Sequence, residues 1–549
     1  MPPPVDTYLT SRTMRLIRRL RDFLTDGDDR LPPGLTLLSA AIAATMVFPL
    51  AWLVIEAVTV ERARAMELLF SADTAEVLAN SLLLMGGVTV FSILLGVPLA
   101  YLTARTDLPF RRFWSVVAAL PLVVPSYVGA FAFVSAFGPQ GEFHDVLAPL
   151  GVERLPEIYG LPGTILVITL YTYPYVYLTT RAALLSFDTT LIEAARTLNH
   201  GRTEAFRRVT LPVIRPAIAA GSLLAALYAV SDFGTPSIMR LPVFTRQIYV
   251  EYNAFGRDYA ALLSLQLLAV VLVVLALEWL VRSNRDAPGD DAGTTDRLVS
   301  LGRWRWPATL LPASVSAVAL LVPIWILLLW LLRSETGRRP SMAFEPIQVV
   351  NSVSVAAAAA VAAALAAIPV AYFAANHDSP LAALFERATY VGFAVPGIVL
   401  ALALVYFGSG YLPWLYQTLP LLVFAYVVRF LPQVVGSTRT AILGVDPKLV
   451  EASRTLGESS MGAFRRVTFP LTRSGIVAGA ALVFLTTMKE LPVTLILRPS
   501  GFETIVTQIW RAQETALYQY AVVPTLILLV ISGLSMVVIL AQEGGREGL

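Results

Sequence analysis

Cysteine is absent from the 549 residues, which excludes disulfides, thiol nucleophiles and cysteine-held iron–sulfur clusters. Lysine is nearly absent. Only Lys448 and Lys489 occur, and neither follows a glycine. No GxxxxGKS/T loop exists to cradle the phosphates of a nucleotide, so the chain cannot hydrolyse ATP by that route. The three histidines, His144, His200 and His377, stand far apart in loops between apolar runs. They are read as surface residues, not as a metal or catalytic cluster, and no permanently bound metal is expected. Charge is scarce too: Asp, Glu, Lys and Arg make up 14% of the chain, against roughly 25% in soluble domains. Nothing in this composition asks for nucleic acid.

Apolar sequence takes the place of charge, with 56% of residues hydrophobic. A run that crosses a bilayer needs about 20 residues. Such runs are read at 35–55, 82–104, 114–136, 160–180, 216–238 and 259–281, then at 307–332, 353–374, 388–407, 415–436, 475–497 and 521–541. The expectation is an all-α integral membrane protein with twelve transmembrane helices surrounded by lipid. Pro or charge interrupts 160–180, 216–238, 415–436 and 475–497.

Arginine placement sets the orientation, because loops left on the cytoplasmic side retain Arg and Lys. With the N-terminus inside, segments 1–34, 105–113, 181–215 and 282–306 hold 20 basic residues. The outer segments 56–81, 137–159 and 239–258 hold 6. Both termini, including the 542–549 tail, are therefore expected in the cytoplasm. The stretch Arg12 to Arg21 precedes a span too long for a signal-peptide core, and it is read as an orientation anchor, the alternative being an amphipathic helix on the membrane surface.

The polar islands are where the chain repeats itself. DTTLIEAARTLNHGRTEAFRRVTLP (188–212) and DPKLVEASRTLGESSMGAFRRVTFP (446–470) share 14 of 25 residues without a gap, 258 positions apart. Ordinary composition would give about two. Pro174 and Arg181 match Pro432 and Arg439 at the same offset. Upstream the offset becomes 271: Asn80-Ser81 match Asn351-Ser352, and Pro98 and Tyr101 match Pro369 and Tyr372. The longer outer loop FGPQGEFHDVLAPLGVERLPEIYG accounts for the 13-residue difference. Six spans per unit give both units one orientation, so 35–281 and 307–541 form two parallel six-helix repeats. The polar stretch 282–306 links them.

Within the second copy, Asp446 suits a cap, Pro447 the first helical position and Gly457 the left-handed position past the end. About ten helical residues, roughly 15 Å, fit between them. Leu449, Ala452 and Leu456 share one face. Ser459 or Ser460 caps a second short helix that carries Phe464, Arg465 and Arg466 and is closed by Pro470. Such a loop serves either as a rigid connector with orienting arginines or as a docking surface. Identity at non-basic positions such as Glu193, Ala194 and Phe206 favours docking.

The two loops resemble the EAA loop of ABC-importer permeases, in which a coupling helix sits in a groove of the ATPase subunit. Glu193, Ala194, Ala195, Asn199, Phe206, Arg207 and Pro212 occupy the pattern in the first copy. Glu451, Ala452, Gly457, Phe464, Arg465 and Pro470 occupy it in the second. Asn199 stands at the usual Gly and Ser453 at the third position, both mild departures. The resemblance covers about 77–281 and 348–541. It implies the type I importer permease fold, two copies of a separate ATPase using ATP and Mg, a substrate-binding protein, and a place in the inner membrane. A secondary transporter is the alternative of a different class, since major-facilitator proteins are also six-plus-six. The loop RTDLPFRRF at 105–113 does not fit their usual signature.

Ionisable residues inside spans are costly and often functional. Asp232 and Glu490 lie 258 apart, with Lys489 beside Glu490 and Arg429 in the preceding span. One reading pairs Arg429 or Lys489 with Glu490 along a wet cleft. The other sets the two carboxylates on the substrate path as hard oxygen donors. The segments SDFGTP, FTRQIY and KELPVTLILRPSGFETIVTQIW resemble fused permeases for ferric iron, and thiamine and phosphonate permeases share the two-loop plan.

Overall fold

The computed structural model describes residues 32–138, 141, 143, 158–186, 204, 206–283, 298–333, 343–377 and 379–544. Among them the regular structure is helical, apart from one isolated parallel bridge between Thr106 and Val299. Among the described residues, nine helices are long and apolar enough to cross a membrane, or up to eleven when two bent pairs are counted as one span each. The longest, Ala72–Arg105, has 34 residues. At 1.5 Å per residue it is about 51 Å long, well beyond a hydrocarbon core of about 30 Å.

Of the twelve spans read from the sequence, the described residues thus support nine to eleven. Two of them bend sharply. Arg111–Val123 and Ser126–Phe137 meet at 91° across Val124-Pro125, and the second half breaks at the matching Val395-Pro396, 271 positions on. Proline lacks the N–H that would continue a helix, and it forces its predecessor into extended backbone. Val124 accordingly sits at ψ 125°. Spans 216–238 and 475–497 are broken as well. Leu211–Ser231 stops at Asp232, and the short helix Gly234–Ile238 follows. Phe469–Met488 stops before Lys489, and Pro492–Leu497 follows. At the last span, 521–541, the 3-10 turn Tyr518–Ala521 runs on into helix Val522–Gly544, and the apolar helix there is the shorter Tyr518–Leu534.

The chain forms two compact units, and neither is a sequence half. The first takes residues up to 51 together with 355–394 and 423–487. In it, Ala43 of helix Pro33–Thr59 packs with Phe373, Ala382 and Phe385. The Ser39 hydroxyl donates to the carbonyl of Pro369 at 3.3 Å. The opening span of the first half is therefore built into helices of the second.

The second unit takes 52–354, 395–422 and 488–549. Its centre is helix Leu161–Leu185, whose Tyr173 and Tyr177 are fully buried among Leu99, Ala118 and Ile214. Here the exchange runs the other way. Val315, from the opening span of the second half, joins that cluster, and the Tyr171 hydroxyl donates to the Ala319 carbonyl at 3.2 Å. The end of the linker is pinned in this unit too. Val299 N–H donates to the Arg105 carbonyl at 2.8 Å, and Leu301 N–H donates to Asp107 Oδ1 at 2.8 Å.

Duplication is visible bond by bond. A Cβ on Gly221 would stand 2.7 Å from Val176 Cα, and one on Gly479 would stand 2.7 Å from Val434 Cα. Beyond Glu490 the register moves by three residues, to 261. Asn80 Nδ2 donates to the Pro242 carbonyl at 3.1 Å, and Asn351 Nδ2 donates to the Glu503 carbonyl at 2.8 Å. Phe244 N–H donates to Ser81 Oγ, and Ile505 N–H donates to Ser352 Oγ. Left-handed backbone recurs at Arg240 and Gly501, and again at Phe255 and Ala516. Few identical residues mark that stretch, so the sequence pattern carried the register only as far as Glu490.

Candidate functional site

The second polar loop folds largely as its residue types dictate. Asp446 caps helix Pro447–Thr455, its carboxylate accepting from Lys448 N–H at 2.9 Å. Gly457 is left-handed at φ 91°, and Ser459 caps the next helix by accepting from Gly462 N–H at 3.1 Å. Leu449, Leu456 and Met461 are exposed, as are Glu451, Ala452 and Arg465. Leu456 shows 86% of its surface, an unusual state for a leucine with a core to join. Phe464 is different: its ring meets Tyr372 edge-on at 5.1 Å, so it anchors the loop to helix Pro346–Asn376.

The second helix of this loop does not close at Pro470. Ser460–Ala463 runs through a π-helical turn at Phe464–Thr468 directly into Phe469–Met488. Pro470 occupies the first turn of that long helix, where a missing N–H costs nothing. The identical FRRVT of the first copy makes the same π turn at Phe206–Thr210, with Pro212 in the first turn of Leu211–Ser231. Arg207 and Arg208 are exposed, and Arg208 pairs with Glu204 at 3.0 Å. In the second copy Arg466 pairs with Glu458. Glu193, Ala194, Ala195 and Asn199 lie outside the described residues, as do His144 and His200. His377 is not a free surface residue: half-buried, it stacks on Phe373 at 4.9 Å.

The two membrane carboxylates occupy equivalent breaks. Asp232 follows the last turn of Leu211–Ser231, and its Oδ2 accepts the Ser126 hydroxyl at 3.0 Å. Ser126 in turn accepts from the Tyr228 hydroxyl at 3.1 Å. The break in one span is thereby fastened to the break in another. Gly234 is required there, since a Cβ would come within 2.5 Å of Tyr127 Cβ. Glu490 is buried, with Oε1 3.4 Å from Val493 N–H at the start of Pro492–Leu497. Lys489 is brought to the first half: its Nζ is 3.5 Å from the Val123 carbonyl, and its own carbonyl accepts from the Tyr127 hydroxyl at 3.4 Å. Arg429 belongs to the first compact unit, with its guanidinium 5.6 Å from the Phe430 ring.

Sequence reasoning missed a third cluster. Helices Phe244–Asn253 and Ile505–Glu514 bring Tyr249 and Trp510 together, ring centres 6.0 Å apart at 89°. Phe233 packs on both, at 5.0 and 5.1 Å. FTRQIYVEYN and IVTQIWRAQE share Gln-Ile followed by an aromatic at offset 261, a weak signal that becomes legible only once the register shift is known.

Comparison with known proteins agrees with this duplicated plan. The family described as "Binding-protein-dependent transport system inner membrane component" matches twice, at residues 92–285 and 367–543. The Fe(3+)-transport system permease protein FbpB 2 of Haemophilus influenzae is 30% identical over 512 residues, covering 92% of this chain and 97% of that protein. The ferric transport system permease protein FbpB of Actinobacillus pleuropneumoniae is 24% identical over 83% of this chain and 69% of its own length. The molybdenum transport system permease protein ModB of Escherichia coli is 29% identical over 214 residues, 36% of this chain but 90% of its own. Two matches on one polypeptide, each covering most of one helical repeat and its polar loop, make this chain a fused, double-domain member of the binding-protein-dependent transport system inner membrane components.

Proposed function

We propose that the chain is the permease through which ferric iron, delivered by a binding protein on the outer side, enters the cytoplasm, with both polar loops and both termini on the cytoplasmic side. One observation carries the substrate: the Haemophilus influenzae relative, named for Fe(3+) transport, is matched across 97% of its length. Family membership favours this over an ion-coupled carrier. Two copies of an ATPase then dock on the two loops, each hydrolysing ATP with Mg. The exposed Leu449, Leu456 and Met461 around Glu451 support that role, because apolar side chains exposed on a polar loop suit a partner's groove. Asp232 and Glu490, with Lys489 and Arg429, belong to the substrate path in this reading.

The test is the double substitution Glu193→Arg and Glu451→Arg. The chain should still insert in the membrane, while uptake of radioactive ferric iron and co-purification of the ATPase each fall at least tenfold. Unchanged uptake in that variant would sink the coupling role. Uptake that never depended on the chain would sink the substrate.

A further inference from the structure

Helices Phe244–Asn253 and Ile505–Glu514 are one element present twice, their register fixed by the paired Asn and Ser hydrogen bonds. At offset 261 Tyr249 is the counterpart of Trp510. Two equivalent residues meet each other only near the axis that relates the two copies. A transport path built from two parallel repeats runs along that same axis. The rings of Tyr249, Trp510 and Phe233 pack on one another there, and Phe233 and Trp510 are almost wholly buried.

One carboxylate ties the rings together. Glu514 Oε1 accepts from the Tyr249 hydroxyl at 3.2 Å and from Trp510 Nε1 at 2.7 Å. The counterpart of Glu514 in the first half is Asn253, whose Nδ2 instead donates to its own helix, at the Tyr249 carbonyl, 2.9 Å away. The carboxylate tie therefore comes from the second half, while the Asn253 side chain of the first half also lies within hydrogen-bonding reach of the Tyr249 phenol. Burial, with the charge of Glu514 adding to it, pushes the Tyr249 phenol up to about 12, so it remains a donor at neutral pH.

We propose that Tyr249, Trp510 and Glu514, with Phe233 beneath them, form a latch that shuts the path at its outer end. The two helices carrying them must part before substrate passes. This rests on the transport reading and orientation given above, and its test uses a readout independent of iron. Because the chain has no cysteine, a single Thr245→Cys is a clean probe. Thr245 is buried, with its hydroxyl on the Asp232 carbonyl at 2.7 Å. In the complex with its ATPase, a membrane-impermeant maleimide should label that cysteine slowly. Adding Glu514→Ala with Tyr249→Phe should raise the rate at least tenfold, whereas Glu514→Gln, which retains an acceptor oxygen, should leave it slow. Equal rates in all three backgrounds would overturn the latch. As a second arm, a short bis-methanethiosulfonate crosslinker, which joins Tyr249→Cys to Trp510→Cys through two disulfides with loss of two methanesulfinates, should stop ATP turnover by the complex until a reductant cuts the link. Undiminished turnover with the helices linked would also overturn it.

Discussion

Gly221 and Gly479 show how much of this protein is decided by a missing methyl group. Both sit where two membrane helices approach so closely that a Cβ would stand 2.7 Å from a neighbouring Cα, that of Val176 in one copy and Val434 in the other. Backbone cannot step aside as a flexible side chain can. Overpacking of this kind costs about 1–3 kcal/mol per site. Gly221→Ala and Gly479→Ala should each lower the midpoint of thermal unfolding of the purified chain. Gly86, with nothing within 4 Å, is the matched control and should tolerate Ala. Equal midpoints for all three would mean that the close approach has no energetic weight. The membrane carboxylates give a second test at this scale. Asn can keep the hydrogen bond that Asp232 takes from Ser126, and Gln can keep that of Glu490, so neither substitution should reduce the amount of folded protein. Only the charge is removed. If these carboxylates serve the cation's path, Asp232→Asn and Glu490→Gln should each reduce ferric-iron uptake at least tenfold; normal uptake would leave them a purely structural task.

Elements were legible where local chemistry decides them and illegible where two distant segments decide together. Asp446, Gly457 and Ser459 mark caps and a left-handed stop that need only neighbouring residues, and the structure has each of them. Pro470 misled because proline ends a helix in one context and suits the first turn in another. The difference is the π turn made by FRRVT, which carries the chain onward without a break. Long apolar runs identified membrane helices but not their continuity. The turns at Val124-Pro125 and at Asp232 persist because Ser126, Tyr228 and Gly234 fasten one break to another. Apolar content within a single run is silent about such contacts. The same limit hid the aromatic cluster: Tyr249 and Trp510 are 261 positions apart, and their pairing follows from a register that only hydrogen bonds reveal.

At the scale of the whole molecule, sequence halves and compact units disagree. Duplication suggests two six-helix bodies joined by a linker, but helix Pro33–Thr59 begins in the unit made from second-half helices, and Val315 and Ala319 lie in the unit built around Leu161–Leu185. Each unit needs chain from both halves to complete its apolar packing. Packing exchanged between the halves therefore joins them independently of the linker. The pinning of Val299 and Leu301 to Arg105 and Asp107 orders the entry into the second half, and it lies on the C-terminal side of the polar stretch around 290. Residues 1–289 and 290–549, produced as two polypeptides in one cell, should accordingly co-purify through a tag on either one and restore at least a large part of the transport of the fused chain. Removing the first span, residues 1–51, from the shorter piece should weaken that association severalfold, because Ala43 and Ser39 then leave Phe373, Phe385 and Pro369 uncovered. Halves that separate in mild detergent while each remains folded would show that the exchange of spans contributes little, and that the covalent linker is what unites them.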